Sequence, residues 1–266
     1  MTTFVAPIRR KDTAKGHHYV DATGARVPGV TTIISDGIPK PALINWAANA
    51  TADAAINRWD ELASMPPAAR LKTLQTARYE DKDRAAKRGT EVHAFAERLI
   101  AGQTVQAPDE IAGHVEAYAR FLDEFAVKAV HVEFSIASYR HGYAGTGDLI
   151  ADVTVAGTTR RLLMDIKTTR SGIFGEVALQ LAAYRYADVL IEGATEQEMP
   201  LVDGCAAIHV RSDGYDLVPV TADPEQHRTF LYVNEVAKFE KSSRDLIGAP
   251  VIPPTTSTYR LTRESK

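Results

Sequence analysis

The stretch Ala144–Arg170, AGTGDLIADVTVAGTTRRLLMDIKTTR, decides how the chain is read. Two strand-like runs flank a short centre rich in turn formers, which predicts two antiparallel strands joined by a tight turn. With the turn at Gly157-Thr158, Asp148 faces Lys167; with the turn one residue back, at Ala156-Gly157, Asp148 faces Asp165. In either register Asp148, Asp165 and Lys167 leave the same face, because strand side chains alternate. Leu149, Ala151, Val153 and Val155, with Leu162, Met164 and Ile166, make the opposite face, which is expected to be core. The polar face also carries Ile150, Asp152, Thr154, Arg161 and Leu163. A half-buried hairpin is therefore expected, with two carboxylates and a lysine at the end away from its turn. Asp152, nearer the turn, reads as structural.

Two carboxylates within reach of one ion suit a hard cation such as Mg²⁺ or Mn²⁺, which prefers oxygen ligands. Such a cation polarises a phosphoryl group and acidifies a bound water. A lysine two residues beyond a ligand shares its strand face and is placed to offset charge that develops in a phosphoryl-transfer transition state. The plainer alternative is a solvated strand face crossed by ion pairs of small energetic weight.

Upstream of the hairpin, HVEFSIASYR from His131 alternates as a strand and carries Glu133. Before it come four helical regions: one from about Pro41, a charge-rich one beginning at Pro66-Pro67, GTEVHAFAERLIAG with Thr90 as N-cap and Gly102 as stop, and PDEIAGHVEAYARFLDEFAV. At the start, His17–Val20 and Val30–Ile34 flank a turn-rich segment and read as a hairpin. Downstream, a helix is expected from about Gly175 to Glu192, then a hairpin turning at Asp213-Gly214. A last helix follows, with Asp223 as cap, Pro224 inside its start and Gly248 at its end. This order predicts an α/β fold, a mixed central sheet flanked by helices with a helical N-terminal part. One domain over 1–266 is expected: hairpin and helices over 1–88, a core over 89–248 and an irregular tail over 249–266.

The bulk numbers narrow the function classes. At 266 residues, 45% hydrophobic and 24% charged, the chain is long enough and apolar enough to bury a core. No apolar run is long enough to span a bilayer, and MTTFVAPIRRKD lacks the apolar centre of a secretory signal, so a cytoplasmic setting is expected. A single cysteine, Cys205, excludes an internal disulfide framework and a cysteine-based zinc or iron–sulfur site. With a net charge of −3, nucleic-acid binding would need local basic patches or bridging metal ions.

The polar residues in and around the hairpin resemble the signatures of PD-(D/E)XK nucleases, and the RecB-like branch with its phage-type exonucleases most of all. GTGD supplies Gly145 and Asp148, DIK supplies Asp165 and Lys167, and QLAAY supplies Gln180 and Tyr184. RGTEVHAFAE supplies Gly89 and His93, which resemble that branch's upstream glycine and histidine. The departures are Gly147 where proline is usual, Asp165 where glutamate is commoner, and the absence of the cluster cysteines of some relatives.

The resemblance implies a nuclease core and a divalent-metal-dependent deoxyribonuclease, an exonuclease of phage or bacterial DNA recombination, replication or repair. It implies Mg²⁺ or Mn²⁺ and no iron–sulfur cluster. It makes His93, Asp148, Asp165 and the Ile166 carbonyl the metal ligands, and Lys167, Asp148, Asp165 and Glu133 the catalytic group. Gln180 and Tyr184, on one helix face with Glu176, and Arg88 and Arg170 would meet the substrate. Arg185 and the run Arg9-Arg10-Lys11 are further candidate phosphate contacts. DNA is the expected partner, beside a recombination or helicase protein or a second copy of the chain, with no membrane; the setting is the host cytoplasm if the chain is phage-encoded. A structure- or site-specific endonuclease, or a non-catalytic DNA-binding protein on the same fold, are the alternatives. No P-loop is present, so unwinding would fall to a partner.

Overall fold

The computed structural model describes residues 8–13, 16–193 and 195–251. Most of the tail expected over 249–266 lies outside them. A small sheet comes first, formed by β1 (Arg9–Thr13), β2 (Gly16–Val20) and β3 (Arg26–Val27), paired antiparallel in that order. Helices α1 (Val30–Gly37), α2 (Pro41–Asn57), α3 (Trp59–Ser64), α4 (Pro67–Ile100) and α5 (Asp109–Glu124) follow. The main sheet uses β4 (Lys128–Ser138), β5 (Tyr143–Val155), β6 (Thr158–Lys167), β7 (Val189–Glu192), β8 (Thr195–Glu198), β9 (Gly204–Arg211) and β10 (Gly214–Val220). Helix α6 (Glu176–Arg185) lies between β6 and β7, and α7 (Pro224–Ser242) closes the fold. The seven strands run in the order β10-β9-β6-β5-β4-β7-β8, with β6 and β9 parallel and every other neighbour antiparallel. The protein is thus α/β, with a mixed sheet flanked by helices.

The hairpin at the sheet's centre is buried on both faces. Leu149, Ala151, Leu162 and Met164 join one core with Val92 and Ala96 of α4 and Tyr118 and Phe121 of α5. Their neighbours Ile150 and Leu163 join a second core with α1, α6 and α7. The alternation of the strands sends each successive side chain to a different helical layer. The polar face is covered only at its centre, by Ile150 and Leu163; it stays partly open at the end that carries Asp148 and Lys167 and at the turn end, where Arg161 and Asp152 lie.

The pairing Val155↔Thr158 makes the turn Ala156-Gly157, the second of the two registers. Both turn residues have positive φ, 48° and 77°, as a two-residue hairpin turn of the right twist requires. Alanine takes that conformation at a cost of about 1 kcal/mol, which glycine or asparagine avoids. Ala156→Gly should therefore raise the unfolding free energy by roughly 0.5–1 kcal/mol, readable as a higher urea midpoint at unchanged slope.

Five local expectations are corrected. Val30–Ile34 is not a strand but the start of α1, where Val30, Ile33 and Ile34 bury one helical face and tertiary packing overrides β-propensity. The second and third helical regions are one helix, α4, that runs straight through Gly89. Thr90 is no cap, since its hydroxyl donates back to the Ala86 carbonyl at 3.1 Å within the helix. The helix expected to reach Glu192 stops at Arg185, and the apolar run Val189-Leu190-Ile191 pairs with β4 as a strand. The last helix ends at Ser242, and a 3₁₀ turn, Ser243–Leu246, precedes Gly248. Its start is as expected, with the Asp223 carboxylate accepting from the Glu225 and Gln226 amides at 2.9 and 3.1 Å.

Candidate functional site

Glu133, Asp148 and Asp165 lie on the neighbouring strands β4, β5 and β6. The observed registers, continued by one pair, set Glu133 beside Asp148 and Asp148 beside Asp165. Glu133 adopts φ of 49° inside a strand. That left-handed conformation is costly for a residue with a β-carbon, and such outliers gather at functional sites.

Two glycines shape the floor. A β-carbon on Gly145 would meet the Tyr184 ring at 2.5 Å, and one on Gly147 would meet the Phe134 ring at 2.5 Å. Gly147 thus stands where proline was usual in the resembled pattern because the Phe134 ring fills the space above it. Helix α6 follows β6 and packs across this floor. Gln180 donates to Asp165 Oδ1 at 2.7 Å and to the Tyr184 hydroxyl at 3.0 Å, and accepts from Lys167 Nζ at 3.1 Å. Lys167 Nζ also lies 2.6 Å from Asp165 Oδ2. That contact is one of charge, for Oδ2 is buried and accepts no directed hydrogen bond.

His93 arrives from outside the hairpin. On α4 the buried stripe is Val92 and Ala96, with Glu97 exposed, so Val92 docks and His93 overhangs the strand ends. Its Nε2 stands 3.2 Å from the Ile166 carbonyl. Donation there directs Nδ1 to the carboxylates, 3.6 Å from Asp148 and 3.8 Å from Glu133. Asp148 accepts from the Ile166 amide at 2.6 Å through its other oxygen.

His93, Glu133 and Asp148 each offer a ligand atom within 4.8 Å of the others, so these three could hold a metal ion. Of the expected ligands, His93 and Asp148 belong to this group and Glu133 joins them, while Asp165 turns to Gln180 and Lys167 and the Ile166 carbonyl faces the histidine. The donors, one imidazole nitrogen and two carboxylate oxygens, suit Mn²⁺ or Mg²⁺. Asp165 Oδ2 beside them, ion-paired with Lys167 but accepting no directed hydrogen bond, is a buried anion that a nearby cation would also satisfy.

Charge crowding shifts the titration of this group. Burial pushes the Asp148 carboxyl up to about 7, reinforced by the Asp165 charge and only partly opposed by His93. For His93 burial acts downward, but Asp148 and Glu133 more than reverse it and hold the imidazolium up to about 9. Both pKa values are raised, so both protonated forms stabilise the metal-free fold at low pH. That stability is lost as pH rises, through about 7 for Asp148 and through about 9 for His93. A bound cation must displace these protons. The rise in melting temperature caused by Mn²⁺ should therefore be larger at pH 9 than at pH 6, by differential scanning fluorimetry. A pH-independent rise would remove both His93 and Asp148 from the ligand set.

The other candidates divide. Tyr184 is buried under the floor, its hydroxyl pKa driven well up by burial and then by Asp165, and it positions Gln180 rather than facing solvent. Arg185 bonds the Ala222 and Val202 carbonyls at 3.2 and 3.0 Å and is structural. Asp152 is held bidentately by Arg161, at 2.8 and 3.0 Å. Arg88 and Arg170 line a neighbouring cleft rather than the carboxylate site itself. Glu176 pairs with Lys40 at 2.7 Å.

Sequence reasoning missed Tyr19 and Thr146 and placed Arg10 only in a basic run. Tyr19 bonds Thr146 at 2.7 Å, and Arg10 reaches Thr146 at 3.4 Å and Glu133 at 3.9 Å, so β1 and β2 form a wall of the site. The alternation of GTGD held the one available signal, since Thr146 shares the face of Asp148. Together these residues enclose a cleft of ≈ 350 Å³.

No known family's sequence profile matches the chain, and no curated protein matches it. Among solved structures, one described as "Crystal structure of SSO0001" aligns at 15% identity over 62% of this chain and 73% of that one, with a TM-score of 0.25. A likeness of that size carries no argument about fold or function.

Proposed function

We propose that the chain is a divalent-metal-dependent deoxyribonuclease on a PD-(D/E)XK core of the RecB-like kind, and an exonuclease in phage or bacterial DNA recombination, replication or repair. The observation that carries the reading is the meeting of His93, Glu133 and Asp148 with a lysine held two residues beyond Asp165. The order of motifs in the sequence supports it independently.

Bound there, a hard divalent cation supplies Lewis acidity toward a phosphoryl oxygen and acidifies a coordinated water. His93, Glu133 and Asp148 would hold it. Asp165 and Gln180 fix the Lys167 ammonium at 2.6 and 3.1 Å, which leaves its remaining N–H groups to bind the phosphate or its attacking water where negative charge grows. Gln180 is buried and keeps Asp165 oriented through an amide hydrogen bond. Arg10, at the rim, is placed to meet a non-bridging oxygen.

The test is incubation of end-labelled linear duplex and of closed circular DNA with Mg²⁺, Mn²⁺ or chelator. Release of label from linear DNA alone, abolished by chelator, is expected. Cutting of the closed circle would make the protein an endonuclease. Absence of cleavage with every metal and both substrates would leave only a DNA-binding role.

A further inference from the structure

A second and larger cleft, ≈ 760 Å³, lies beside the carboxylate site, between α2, α4 and the segment after β6. Its walls present Trp46, Tyr79 and Phe174. Tyr79 and Phe174 are 44% and 50% exposed, so both rings are open to a ligand in the cleft. Four arginines, Arg78, Arg84, Arg88 and Arg170, share the lining, and no aspartate or glutamate among the described residues does. In a chain of net charge −3 this is a local reversal of sign. Arg78 lies over the Tyr79 ring, 4.7 Å from its centroid, and bonds its hydroxyl at 2.7 Å, so that ring is held in place. Arg88 Nε is buried without a hydrogen-bond partner.

The two clefts lie side by side, with a smaller hollow that shares lining residues with each. Thr168 and Thr169, which follow Lys167 directly, line the arginine cleft. A smaller hollow is lined by Lys167 and Gln180 at one side and Thr169 and Phe174 at the other. The shared wall is rigid: His209 Nε2 donates to the Thr169 carbonyl at 2.8 Å while Arg211 donates to Nδ1 at 3.1 Å, which sets the tautomer. Thr169 in turn bonds the Gly172 carbonyl at 2.7 Å.

We infer that this cleft binds a single-stranded nucleic-acid segment, stacking unpaired bases on Phe174, Tyr79 and Trp46 and holding their phosphates with the arginines. Exposed rings accept any base face, and guanidinium groups track a phosphate backbone without reading sequence. A peptide partner would need the rings but not four arginines, whereas a nucleic-acid strand uses both. A duplex presents its bases already stacked and gains nothing from the rings. The inference extends the nuclease reading: a frayed end seated here would run through the hollow toward Lys167.

The test measures binding without chemistry. Full-length protein in EDTA is titrated against labelled (dT)12 and against a blunt duplex of the same length, by fluorescence anisotropy. The single strand is expected to bind more tightly. Phe174→Ala and Tyr79→Ala should each weaken it roughly 5- to 150-fold, while Phe174→Tyr retains affinity. Arg84→Gln should lower the slope of log K against log salt by about 0.7. In a Trp59→Phe background the strand should quench Trp46 emission. Wild-type affinity in folded Phe174→Ala and Tyr79→Ala proteins, or equal binding of duplex and single strand, would overturn the inference. Strand binding with no cleavage under any metal removes the nuclease reading and leaves the cleft. Cleavage with unaltered binding in the ring variants removes the cleft and leaves the nuclease.

Discussion

Replacing Lys167 with alanine is expected to lower DNA cleavage by on the order of 10²-fold or more, the usual loss when a preorganised group facing transition-state charge is removed. The same change takes a cation from Asp165, a carboxylate only 3% exposed. A buried charge left without its partner is destabilising, so Lys167→Ala should also melt lower in chelator. Mn²⁺ should restore much of that stability, because a cation near Asp165 replaces the lost one, and should not restore the rate. Lys167→Arg separates the two effects. It keeps the positive charge and the stability, but a planar fork cannot reproduce the ammonium's placement, so cleavage should stay low. Single-turnover rates and melting curves for the three proteins check this, and a fully active Lys167→Ala protein would end the nuclease assignment to this site.

The second large effect belongs to Asp148→Asn. Its amide oxygen can still accept the Ile166 amide that now meets Oδ2 at 2.6 Å, so the local fold is retained. The substitution copies the protonated carboxyl that burial and Asp165 favour up to about pH 7. At pH 8 in chelator the variant should therefore melt no lower than the natural protein. With Mn²⁺ the difference appears: the metal-induced rise should vanish, and cleavage should fall on the order of 10²-fold or more, since a lost ligand costs at least what a lost supporting residue does. A carboxylate of merely structural importance predicts the reverse, a lower melting temperature in chelator and an unchanged response to metal. Isothermal titration with Mn²⁺ and melting curves at one pH distinguish the two.

Much of this site was legible before any coordinates, for a local reason. Asp148, Asp165 and Lys167 share a face because of strand periodicity, which a short turn transmits without error. The turn residues alone left two registers open, and only the paired strands chose Ala156-Gly157. His93 was singled out only by the resemblance of RGTEVHAFAE to the upstream glycine and histidine of the RecB-like pattern, and the helix that carries it runs on through Gly89, where the sequence suggested a break. A lone glycine lowers helix propensity by about 1 kcal/mol, less than the packing of Val92 and Ala96 restores. The walls were not legible. Arg10, Tyr19 and Thr146 meet across long stretches of chain, and no spacing rule connects them. Glu133 was visible as a strand residue, but its left-handed backbone, which aims it at His93, has no sequence signature. Val189–Glu192 was misread because a short apolar run after a helix satisfies both periods.

Glu133, Asp148 and Asp165 stand on three strands that succeed one another with only short connections, while His93 comes from a helix that must dock from far upstream. In kinetic terms the carboxylates belong to a meander of low contact order, which forms early, and the histidine to a contact of high loop-closure cost, which forms late. The ion's full ligand set then exists only after the folding transition state. Mn²⁺ should leave the refolding rate of the chain unchanged and slow its unfolding by nearly the whole of the binding effect. Stopped-flow refolding that accelerates with Mn²⁺ would instead place the docking of His93 before the barrier. If docking follows the barrier, metal acts on this protein as a brake on leaving the native state, and its supply sets how long a folded molecule persists.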